Sequence, residues 1–85
     1  MKKICIYGTG KWVKLIYGIL RELGCNILSF CRTEVNKNEM LCDLNVIKIE
    51  DIAEEHKKDI IMLIAIRDIK SVVEIKRKLL DNNFK

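Results

Sequence analysis

At 85 residues, with 49% apolar and 33% charged side chains, the chain has the balance of a globular domain and too little length for two, since single domains centre on roughly 100–150 residues. Sixteen basic residues against twelve acidic ones leave a formal charge of +4, spread without the dense Lys/Arg block of a nucleic-acid footprint, so no nucleic-acid partner is expected. No apolar run approaches the ~20 residues of a membrane span, and Met1-Lys2-Lys3 leads into an apolar run too short for a signal peptide, so a cytoplasmic location and no membrane partner are expected.

In chain order, Lys3–Tyr7 is a short apolar run that stops at Gly8-Thr9-Gly10, the length and punctuation of a buried strand entering a tight turn. From Lys11 to Leu23, Val13, Ile16, Tyr17, Leu20 and Leu23 recur at helical spacing, and Gly24 is a C-terminal stop. Trp12, Leu15 and Ile19 add a second apolar stripe, more than one buried face requires, which points to a subunit contact. Asn26–Cys31 predicts strand two, and the polar stretch Arg32–Asn45 a long loop. Val46-Ile47-Lys48 predicts a brief edge strand and Glu50–Lys57 a short helix. The unbroken apolar run Ile60–Ile66 reads as a central parallel strand covered on both faces. After Arg67-Asp68, a last helix is marked by Ile69, Val72, Val73, Lys76, Leu79 and Leu80, with cations near its C-terminal end as the dipole favours.

Strands alternating with helices imply parallel pairing through right-handed crossovers. The expected fold is therefore α/β: one domain over 1–85, a small three-layer Rossmann-like parallel sheet in order 3-2-1-4 with helices on both faces. A complete doubly wound domain would continue with another strand after Phe84. The chain is thus expected to be truncated, a fragment or module of a larger protein, or to have its open edge covered by a partner.

Four cysteines occur without a CxxC pair and with His56 as the sole imidazole, so no metal is expected. Cys5 and Cys31 lie in strand-like runs and read as small buried hydrophobes with free thiols.

The chemistry concentrates at the first turn. Between a strand and a helix, Gly8 permits the sharp turn and Gly10 lets the backbone approach a phosphate resting on the amides that open the helix. The full GxGxxG pattern is not met, because Val13 stands at the third position, and the turn is expected to be wider than in a true dinucleotide site. At the tip of strand two, where NAD-binding folds place an acidic residue for the ribose, this chain has Cys31-Arg32. An arginine there suits a further phosphate. Arg67 at the tip of the fourth strand and Lys11 at the start of the helix lie on the same edge. The expected binding residues are therefore Gly8, Thr9, Gly10, Lys11, Trp12, Arg32 and Arg67. No Ser-His-Asp, Cys-His or paired-carboxylate set can be assembled from adjacent strand tips, so no catalytic residue is assigned.

The segments KICIYGTGKWVKLIYGIL, ILSFCR, LNVIKIEDI and DIIMLIAIRD together resemble the small bacterial Rossmann-like domains found at the N-terminus of sugar acyltransferases and beside other surface-glycan enzymes. Gly8, Gly10, Val46, Ala65 and Ile66 match that pattern; Val13 and Cys31-Arg32 depart from it. The resemblance implies a nucleotide-sugar holder whose chemistry is done by another domain, with Gly8 and Gly10 facing the phosphates. Arg32 and Arg67 are assigned from their positions alone.

The leading expectation is a nucleotide-binding module, for a nucleotide sugar or NAD(P), in a protein of carbohydrate or surface-glycan metabolism. The alternative is a ligand-free Rossmann-like interaction module that dimerises through the second stripe of helix one or the open strand edge. A homo-oligomer or a covalently linked partner domain is expected in either case.

Overall fold

The computed structural model describes residues 3–82 and 84; Met1, Lys2, Asn83 and Lys85, which include the charged opening of the chain, lie outside them. The elements run β1 Lys3–Tyr7, α1 Lys11–Glu22, β2 Ile27–Cys31, β3 Met40–Leu41, β4 Leu44–Ile47, a 3-10 turn Ile49–Asp51, α2 Glu54–Lys57, β5 Ile60–Ile64 and α3 Ile69–Asp81. They form one α/β unit around a five-stranded mixed sheet of order β3-β4-β2-β1-β5.

Residue alternation along β1 and β2 sorts the core into two layers. Ile6 and Phe30 point to one face, where Val13, Tyr17 and Leu20 of α1 cover them together with Val46; the Tyr17 and Phe30 rings lie 5.5 Å apart. Cys5, Tyr7 and Cys31 point to the other, against Ile75 and Leu79 of α3, Ile49, Ile52 and Phe84. Each fully buried side chain of this size contributes roughly 1.5–3 kcal/mol. α1 ends in a Schellman closure: Gly24, at φ 80°, donates to Arg21 O at 3.0 Å and Cys25 donates to Leu20 O at 3.0 Å. Lys57, although charged, is buried because its ammonium donates to Glu54 Oε1 (3.1 Å) and to the Asn82 carbonyl that closes α3 (2.5 Å), over the Phe84 ring.

The structure departs from expectation in three places. The stretch expected as one loop contains β3, which pairs antiparallel with β4, so the expected four-strand, all-parallel order gives way to a five-strand mixed one, and Val46-Ile47 lies inside the edge. The cause is a two-residue turn at Cys42-Asp43, with φ of 50° and 64°; two central residues at positive φ match the right-handed twist of a hairpin. The helix expected over Glu50–Lys57 is divided, because Ile49 and Ile52 both turn into the α3-side core and leave Ile52 and Ala53 extended. The run Ile60–Ile66 is not covered on both faces. Among the described residues β5 pairs only with β1, and Ile61 and Leu63 are 49% and 36% exposed.

Cys5 and Cys31 are buried free thiols, as expected, with Ser29 Oγ 3.4 Å from Cys5 Sγ. The hydrogen bond shared with Cys5, together with burial, pushes the Cys31 thiol up and keeps it protonated. Among the described residues no helix is long and apolar enough to cross a membrane.

Candidate functional site

Strand β1 delivers the chain to its turn through Tyr7, and Gly8 N–H then donates to Cys31 O at 2.8 Å. Gly8 sits at φ 128°. A Cβ there would stand 3.0 Å from the Ala65 carbonyl oxygen and 3.2 Å from Val13 Cγ2. The fold therefore demands glycine at this position, both for the dihedral and for the close approach of β5 and α1. It also explains how Val13 is accommodated at the third position of the motif: its methyl occupies the space that a side chain on residue 8 would need.

Gly10 differs. It is the N-cap of α1 in ordinary extended geometry (φ −79°, ψ −172°), and a Cβ on it would meet nothing within 4 Å. Nothing in the fold requires a glycine there. The N–H groups of Lys11 and Trp12 follow, at a helix start where no preceding turn supplies acceptors. No side chain caps this terminus and no acidic residue lies in its first turn. The positive end of the helix is thus left without an anion of its own.

All seven residues expected from the sequence, Gly8, Thr9, Gly10, Lys11, Trp12, Arg32 and Arg67, line a single cavity of about 520 Å³ at the carboxyl end of the strands. Trp12 is half exposed, lies beneath the Arg67 guanidinium at 5.2 Å from the ring centroid, and leaves the space in front of Gly10 open. Sequence reasoning missed Thr33, Ser71 and Glu74 in the same lining. The last two could have been found by counting three and six residues on from Asp68, along the first turns of α3. Thr33 Oγ1 is 2.5 Å from Tyr7 OH, which ties the tip of β2 to the end of β1.

Arg32 is placed in the cavity but is not the uncommitted cation that was expected. It is ion-paired with Glu39, and it donates to Glu34 O at 2.8 Å and to Thr9 Oγ1 at 3.3 Å. Six residues of irregular chain separate Arg32 from Glu39, so no periodicity announced the pair. Glu34 contributes its carbonyl here, and its side chain is exposed.

His56 belongs to a different place. It lines a cavity at the amino end of the sheet with Lys3, Leu28 and Asp59, and its Nε2 lies 3.7 Å from Glu55 Oε1. Among the described residues no three His, Cys, Asp or Glu side chains gather as a metal-holding group. The crevice offers backbone N–H donors, hydroxyls and the cations Lys11 and Arg67, with Arg32 paired to Glu39 and the Glu74 carboxylate in the same lining; the donors at its helix start suit an anion.

Comparison of the chain with protein-family models, with curated proteins and with solved structures finds no match in any of the three.

Proposed function

We propose that this chain is a nucleotide-binding module, taking a nucleotide sugar or NAD(P), that serves a protein of carbohydrate or surface-glycan metabolism and resembles the small Rossmann-like domains of bacterial sugar acyltransferases. The observation that carries the reading is Gly10. The fold has room for a side chain there, and its absence leaves the backbone open to approach by a group outside the fold. An uncapped helix start without acidic residues in its first turn, beside Lys11 and Arg67, favours an anion there. A phosphate resting on the Lys11 and Trp12 amides would leave the rest of the 520 Å³ crevice for a ribose or sugar. Binding is the module's role, and a linked domain supplies the chemistry.

The test is thermal melting with and without millimolar NADH, NADPH and a panel of UDP- and CDP-sugars. A ligand present at roughly 100 times its Kd adds about 2.7 kcal/mol, several degrees for a domain of this size. Gly10→Val should keep the unliganded melting temperature and lose the ligand-induced shift. A flat panel, or a shift that survives Gly10→Val, overturns the reading.

A ligand-free interaction module is the second reading. The Arg32–Glu39 ion pair favours it, because it satisfies within the chain a cation that a phosphate would otherwise claim.

A further inference from the structure

The β5 edge combines three features. The first is an open ladder. Asp59 O accepts from Lys3 N–H and Ala65 N–H donates to Tyr7 O, so odd-numbered residues of β5 face β1, and the peptide groups of Ile60, Met62 and Ile64 point away from the sheet. Edge strands are ordinarily blunted by charges, proline or a bulge; Ile60–Ile66 contains neither charge nor proline, and β5 runs without a register shift against β1.

The second is apolar flanking on both faces. On α1, Tyr17 meets Phe30 of β2 while Trp12 meets Arg67 after β5. The stripe Trp12, Leu15, Ile19 and Leu23, on the Trp12 side of the helix, therefore overlooks the exposed Ile61 and Leu63. On the opposite face, Lys76 and Leu80 of α3 line a 430 Å³ groove with Ile60, Met62 and Ile64, and the exposed Ile69 and Val73 continue the Leu80 side of that helix. These exposed apolar side chains flank the open ladder on both faces, so a strand paired there would cover apolar surface as well as peptide groups.

The third is charge symmetry. The apolar run is bracketed by Lys58-Asp59 before it and Arg67-Asp68 after it, all four exposed. Laid antiparallel against a second copy in the register centred on Leu63, Asp59, whose carbonyl still takes part in the ladder, falls opposite Arg67 at both ends, with Lys58 and Asp68 just beyond the strand. The same register sets Met62 opposite Ile64 and Ile60 opposite Ile66, which aligns the outward peptide groups of one copy with those of the other.

We infer that β5 is the contact strand of a two-fold symmetric homodimer, paired antiparallel about Leu63 so that one sheet runs through both copies. An axis perpendicular to the sheet keeps each helix layer on its own face, so the α1 stripes of the two copies flank one side of the junction and the α3 stripes the other. The inference does not rest on the nucleotide reading, although Trp12 and Arg67 border both the crevice and the β5 edge.

Sedimentation equilibrium of the wild-type chain up to hundred-micromolar concentration should give twice the 9.9 kDa monomer mass. The double variant Lys58→Asp/Asp59→Lys keeps the composition but sets like charge against like charge at every bracket; it should weaken the dimer at least tenfold. Ile61→Lys, at an exposed position, should do the same while far-UV circular dichroism shows the fold retained. Hydrogen exchange of the wild type should slow at the Ile60, Met62 and Ile64 amides as concentration rises. A wild-type chain that stays monomeric, a dimer equally tight in both variants, or concentration-independent exchange at those three amides overturns the inference.

Discussion

The two edges of the sheet are finished in opposite ways. On the β4 side the chain folds back on itself: β3 is two residues long, its turn twists through the positive φ values of Cys42 and Asp43, and the strap before it is held by the Arg32–Glu39 pair and by Val46 N–H donating to Glu39 O at 2.9 Å. Such an edge is short, twisted and polar at its end, a poor template for another strand. On the β5 side an uninterrupted apolar strand is bare between two apolar helix stripes. One sheet thus carries one edge finished by local chain and one that, among the described residues, is left unpaired. The contrast teaches that most of the exposed large apolar side chains flank one edge of the sheet, with Leu28 and Met40 lying apart from it.

The largest expected effect separates interior from edge. Phe30→Ala, at a fully buried position under α1, should cost about 3–5 kcal/mol. Leu63→Ala at the open edge should cost the monomer under about 2 kcal/mol; urea denaturation at high dilution measures both, and equal losses would break the contrast. Gly8→Ala comes next, at about 1–3 kcal/mol for forcing a side chain into φ 128° against Ala65 O, seen as a lowered melting temperature. On the closed edge, Asp43→Gly relieves a non-glycine residue at φ 64° and should raise stability by about 1 kcal/mol.

The smallest effect concerns the 3-10 turn. A hydrogen bond from its own backbone N–H holds the Glu50 carboxyl below its ordinary 4.5 against the cost of burial, and the Lys78 ammonium at 3.3 Å adds a lesser lowering. A lowered folded-state value means that the stabilisation is present above the unfolded value and lost as pH falls through the folded one. Glu50→Gln should therefore cost up to about 0.5 kcal/mol at pH 7. That difference should vanish when melting is repeated well below pH 4.5.

What was legible in the sequence was what periodicity and punctuation can carry. The glycine turn, α1 with both its stripes, β1, β2 and the last helix follow from short-range patterns of apolar residues and glycine, and the seven expected binding residues share one cavity because strand tips and helix starts converge wherever parallel strands end. The hairpin was hidden because its turn is Cys-Asp instead of Asn-Gly, so residue type did not signal positive φ. The division of the helix over Glu50–Lys57 depends on where Ile49 and Ile52 find space in the tertiary core. The exposure of β5 was missed because an apolar run reads alike at the centre of a sheet and at a rim awaiting a neighbour.

The Arg32–Glu39 contact has a consequence for occupancy. A phosphate that draws Arg32 away from Glu39 would release a carboxylate of the strap that feeds the β3–β4 hairpin. Thermodynamic reciprocity then requires that whatever loosens the strap raises affinity, and that a bound ligand loosens the strap in return. The far rim of the sheet would register a filled crevice.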